Sequence, residues 1–135
     1  MSAAEDKRKH LDFIQLTITR MAANSFLLKA WGVTLVAALF TLAEKDTNKK
    51  YWMVAYVPAI AFWILDGYYL RQEKLYRELY NHVRKTLPEK IDFSLNAKPY
   101  SKRVDSWFMC MFSWTLLIFY GTVIGVLIII MILTY

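Results

Sequence analysis

The chain has 135 residues, room for one domain, and is 57% hydrophobic and 16% aromatic with a mean hydropathy of +0.27, the composition of a membrane protein rather than a soluble one. A single cysteine, Cys110, excludes an intrachain disulfide framework and reads as a buried structural thiol. The formal charge of +6 would suggest nucleic acid or an acidic surface in a soluble protein, whereas in a membrane protein it first reports topology.

Residues 1–9 are small and charged, and no apolar core begins before Phe26, so a cleavable signal peptide is not expected. In 10–25 the apolar positions Leu11, Ile14, Ile18 and Met21 recur at helical spacing among Asp12, Gln15, Thr19 and Arg20. That pattern describes an amphipathic helix at the membrane surface or against another subunit. Asn24 and Ser25 can cap a new helix starting at Phe26, or the first helix can continue through them.

Residues 26–44 form the first expected span, whose one early charge, Lys29, sits where an ammonium can reach the interface. The polar link EKDTNKK is short, so the second span, 51–70, must return antiparallel. Pro58 removes one backbone donor within it and predicts a kink. Lys29 and Asp66 lie equally far from the centre of the link, between Thr47 and Asn48, and so reach the same depth in the hairpin. Two readings of Asp66 stand side by side: an ion pair with Lys29, which specifies register more than it stabilises, or a pore-lining, gating carboxylate.

The helical period continues beyond Leu70 as the composition turns polar, predicting a cytoplasmic extension over 71–87 that ends at Leu87-Pro88. Leu75, Tyr76, Leu79, Tyr80 and Val83 form one face, and the cations the other. Glu73 with Arg77 and Lys74 with Glu78 are four-apart pairs, leaving Arg71, Arg84 and Lys85 uncompensated. Residues 88–105 read as an ordered loop with a short extended piece at 91–95, and its Lys98, Lys102 and Arg103 lead the chain back to the membrane. Residues 106–134 hold no charge and predict a third span opened by the interfacial anchor Trp107. In its middle Gly121 and Gly125, four apart, permit close helix packing. Its apolar end faces lipid or, in an oligomer, closes a pore by excluding water.

The expected fold is therefore a single all-α membrane domain over 1–135: three transmembrane helices, an N-terminal amphipathic helix and a long cytoplasmic extension of the second transmembrane helix. Fourteen of the 17 Lys and Arg fall on one side of three spans, which places the N-terminus and the 71–105 region in the cytoplasm and the C-terminus outside.

For chemistry the chain offers only His10 and His82 as histidines, no glycine-rich phosphate loop and no metal spacing, so neither an enzyme, a metal nor a cofactor is expected. The basic helix face is more informative. Arg71, Lys74, Arg77, Arg84 and Lys85 interleave with tyrosines including Tyr80. Cations suit phosphates and aromatic faces suit bases, which makes these six residues a candidate oligonucleotide or nucleotide site. The plainer account has the cations setting orientation and touching anionic lipid while the tyrosines pack.

The stretches HLDFIQ, RMAANSF, LKAWGVTLVAALF and FWILDGYYL, within residues 9–84, resemble a family of small bacterial multi-pass membrane proteins that includes the membrane effectors of Hailong-type anti-phage defence systems. The resemblance implies a homo-oligomeric channel, a tetramer, in the bacterial inner membrane. It further implies that a single-stranded DNA oligomer from a partner nucleotidyltransferase holds the channel closed. The alternative is a membrane anchor or scaffold that recruits a cytoplasmic partner through the same helix and conducts nothing. Exchanging the charges at Lys29 and Asp66 discriminates the two, since only a selective pore should change conductance.

Overall fold

The computed structural model describes residues 2–44 and 50–134 and is all-helical among them, with no strand. Most of the polar link, 45–49, lies outside the described residues. Helix α1 spans Ala3–Glu44 and α2 Lys50–Lys85; the short α3, Trp107–Met111, and α4, Trp114–Thr134, come after two single-turn 3-10 helices at Pro88–Lys90 and Lys98–Tyr100. Three of the four helices, α1, α2 and α4, are long and apolar enough to cross a membrane.

Residues 10–25 and 26–44, expected as two elements, form one uninterrupted helix. Asn24 and Ser25 do not cap a new helix, because Ser25 is inside α1 and its hydroxyl is committed to Asp66. In α2 the apolar run and its charged continuation are likewise continuous, and Pro58 is accommodated within the helix. The two helices run antiparallel: Ile14 and Ile18 pack with Leu75, Leu79 and Val83 near one end, and Val36 packs with Ala55 and Ala59 near the other.

These contacts form two separate hydrophobic cores. The polar lobe buries Ile14, Ile18, Leu75, Leu79, Val83, Ala97 and Tyr100, so the 88–105 loop packs on these residues of α1 and α2. The apolar end buries Val36, Ala55, Ala59 and Leu127, which brings in α4. Between the cores lies a polar layer around Asp66.

Two features depart from the sequence pattern. The third span is not one helix over 106–134, because the chain breaks at Phe112 and Ser113 between α3 and α4. The indole of Trp63 donates to the Met111 carbonyl at 2.7 Å, engaging an oxygen that a continuous helix would pair with its own backbone. Trp107 donates in the same way to the Ile64 carbonyl at 2.9 Å, and Ser106 caps α3 by accepting from the Met109 amide. Gly67 permits this approach: a Cβ there would collide with the Met111 side chain and lie 3.3 Å from its Cα. The second departure is at Phe93, which interrupts the expected extended piece over 91–95 with φ 55°, whereas Ile91 is extended.

A Cβ on Gly121 or Gly125 would meet nothing within 4 Å, so neither is in close helix contact within one chain.

Candidate functional site

Asp66 is the centre of the polar layer. Its side chain is 0% exposed among apolar helices, and isolated burial of a carboxylate would be prohibitive. Two other helices supply its partners. From α1, the Lys29 ammonium approaches Oδ2 at 2.5 Å and the Ser25 hydroxyl donates to Oδ1. From α4, the Tyr120 hydroxyl donates to Oδ2 at 3.0 Å and lies 3.3 Å from the Phe62 carbonyl. Lys29 also donates to Ser25 Oγ at 2.8 Å and sits 5.8 Å from the Phe119 ring centre. Its side chain stays 23% exposed, so the pair is dry on the acid's side and wet on the base's.

Trp63 extends the layer. Its ring stacks on Tyr120, with centroids 6.2 Å apart and planes 11° apart, and meets Phe112 edge-on at 5.5 Å. One turn of α2 therefore reads both the break between α3 and α4 through Trp63 and the start of α4 through Asp66. Sequence reasoning placed Lys29 and Asp66 at one depth but missed Ser25 and Tyr120. A hydroxyl in an apolar run carries no sign of a distant acid.

The six expected ligand residues divide. Lys74 does not pair with Glu78; its ammonium meets Asp105 Oδ2 at 2.9 Å, because the returning loop brings that carboxylate alongside α2. Arg77 pairs with Glu73 as spacing predicts, at 2.8 Å. Lys74 and Arg77 share a groove of about 330 Å³ with Asn81 and Arg103. Arg77 and Tyr80 share a second, of about 250 Å³, with Gln15 and Ile18 of α1. Arg71, Arg84 and Lys85 line neither of these grooves. Arg84 and Lys85 project from the last turn of α2, where cations oppose the negative end of the helix dipole, and the Arg84 carbonyl accepts from Lys7 at 2.8 Å. Arg103, expected only to lead the chain back to the membrane, joins the first groove.

A third feature was not legible in the sequence. His10 of α1 is 1% exposed and its Nε2 lies 2.7 Å from the Ser94 carbonyl. A carbonyl only accepts, so Nε2 carries a proton, and in the neutral tautomer this leaves Nδ1 with a bare lone pair. Nδ1 is buried and without a partner. The Phe93 ring packs on His10 at 5.6 Å and on Phe13 at 6.2 Å, contacts that hold Phe93 in its unfavourable left-handed conformation. Beside His10 the loop and α2 enclose a cavity of about 170 Å³, lined also by His82, Asp92, Asn96 and Tyr100. The Tyr100 and His82 rings lie 5.8 Å apart at 50°. Burial pushes the Tyr100 phenol above its usual range; Arg103 opposes this, and Asp92 and Glu78 add to it.

Among the described residues no group of three or more metal-ligating side chains could hold an ion. Comparisons with protein-family models, curated proteins and solved structures find no match to this chain.

Proposed function

We propose that the chain is one subunit of a homo-oligomeric, tetrameric pore in the bacterial inner membrane, an effector of anti-phage defence, with its N-terminus and basic lobe in the cytoplasm. In this reading a single-stranded oligonucleotide on the basic lobe holds the pore closed. The observation that carries it is the fully buried Asp66, tied to α1 and α4 and borne on the same unbroken helix as the basic grooves. Intramembrane acids face interiors or water paths more often than lipid, and three spans enclose no water path alone, so a pore requires several copies around an axis. A ligand that binds the closed arrangement better than the open one keeps it closed by that difference in affinity. The resemblance carried by the HLDFIQ, RMAANSF and FWILDGYYL stretches supports the same reading.

The test is ion flux through purified protein in liposomes, with and without short single-stranded DNA oligomers, beside an Asp66→Ala control. Flux that the oligomers suppress supports the gated pore. Absence of flux from folded, oligomeric protein under both conditions moves the assignment to the second reading, a non-conducting membrane scaffold for a cytoplasmic partner. The observation favouring that reading is that Asp66 is already satisfied within one subunit by Ser25, Lys29 and Tyr120.

A further inference from the structure

The cavity beside His10 stands apart from the grooves that contain Lys74, Arg77 and Tyr80, and its polar groups form a mixed set. His10 Nδ1 is an acceptor without a partner. Asp92 accepts from the Ser94 amide with Oδ1, leaving its second oxygen open. Asn96 accepts from the Lys98 amide with Oδ1, leaving its NH2 to donate. The Tyr100 hydroxyl and both ring nitrogens of His82 have no hydrogen-bond partner among the described residues. Acceptors and donors thus converge within one small space whose walls include two aromatic rings.

That inventory decides between ligand classes. An inorganic anion would satisfy the donors but oppose Asp92 and leave the His10 lone pair unmet. A simple cation would satisfy Asp92 and waste Tyr100 and Asn96. A flat heteroaromatic ring whose edge carries both an N–H and an acceptor satisfies each, and one of its faces can pack against the His82 or the Tyr100 ring. Of these groups His10 Nδ1 is the one both buried and unpaired, and leaving it so is costly, so discrimination by hydrogen bonding rests chiefly on that nitrogen.

We propose that the cavity lined by His10, His82, Asp92, Asn96 and Tyr100 binds a single nucleobase, with His10 Nδ1 accepting from an N–H on the base edge. The proposal deepens the nucleotide half of the proposed function and is independent of conduction. The base can belong to a free nucleoside or to one residue of an oligonucleotide. It also gives a reason for the left-handed Phe93, whose ring holds His10 in place from the loop side.

The experiment is titration of the full chain, purified in detergent, with each of the four deoxynucleosides, with inorganic phosphate and with a short oligodeoxythymidine. One deoxynucleoside should bind saturably, and methylating its edge N–H should weaken it about tenfold, the loss of one hydrogen bond to a buried acceptor. Tyr100→Phe, which keeps the ring, should weaken it several-fold without changing unfolding temperature, and Asn96→Ala, which also loses the bond from the Lys98 amide, should weaken it several-fold. Competition by the oligomer assigns the base to a longer chain, and its absence assigns a free nucleoside. Saturable binding by no deoxynucleoside, binding indifferent to methylation, or displacement of the nucleoside by phosphate would each overturn the assignment. Wild-type binding without oligomer-suppressed flux would leave the pocket standing and remove the pore. If either variant misfolds, the methylated ligand on the wild-type chain still decides.

Discussion

The Tyr120 hydroxyl donates to Asp66 Oδ2 at 3.0 Å, across 54 residues of sequence, and shares that oxygen with the Lys29 ammonium. One carboxylate oxygen therefore fastens α4 to α2 and α1 to α2. Removing partners from it should be unequal in effect. Lys29→Ala leaves a buried carboxylate with no cation and should destabilise the fold by about 3–5 kcal/mol, whereas Tyr120→Phe removes one donor and should cost about 1–3 kcal/mol. Combining Lys29→Met with Asp66→Leu should recover most of the larger loss. Unfolding in detergent, read as a double-mutant cycle, measures each step.

Gly67→Ala should separate α3 from α2. The added methyl group collides with Met111, and overpacking of this kind costs about 1–3 kcal/mol. Because Trp63 donates to the Met111 carbonyl, its fluorescence should shift to the red as that bond opens. Gly121→Ala and Gly125→Ala meet open space and should leave the unfolding of a single subunit within about 0.5 kcal/mol of wild type.

Charge reversal on the basic lobe should depend on position. Arg77 lies in both grooves and Lys85 in neither, so Arg77→Glu should weaken single-stranded DNA binding and its salt dependence more than Lys85→Glu. Filter binding at two ionic strengths compares them. Equal losses from both substitutions would point to a diffuse basic surface rather than the grooves.

Alkaline stability offers a test of the Tyr100 environment. Burial raises its phenol above the ordinary value of 10.0, so the folded chain holds this proton more tightly than the unfolded one. The stability tied to that proton is complete below pH 10 and is lost as pH rises through the folded-state value. Tyr100→Phe has no proton to lose. Its unfolding temperature should fall less steeply than wild type above pH 10, while the two run parallel between pH 7 and 9.

The three membrane-scale helices were readable because length and apolarity are local properties, and so was the shared depth of Lys29 and Asp66, which comes from counting outward from one link. The break in 106–134 was not. It depends on Trp63, 48 residues from Met111, reaching a carbonyl that nothing local marks as unavailable. The same limit hid Asp105 as the partner of Lys74, since spacing offers Glu78 first and only the path of the loop supplies the rival. Among the candidate ligand residues, helical periodicity put Arg77 with the cations and Tyr80 on the opposite, apolar face, although both line one groove. It could not separate Arg77 from Arg84 and Lys85, because which part of a face becomes a groove is set by the elements packed beside it. His10 read as a lone histidine in an amphipathic helix; its orphaned nitrogen exists only because Ser94 claims the other one.

The 36 residues of α2 make a rod about 54 Å long, and Asp66 divides it into arms of about 24 and 29 Å. A rod held at such a fulcrum transmits displacement with almost no gain and with reversed sign. Swinging the Lys85 end by a few ångströms one way carries the Lys50 end nearly as far the other. Pro58, within the shorter arm, is the point where that stiffness is weakest, so some of the swing is absorbed as bending before it reaches the tip. In the proposed gating, a molecule wedged beside the long arm would act on the far end through leverage, with the Asp66 layer as the axis.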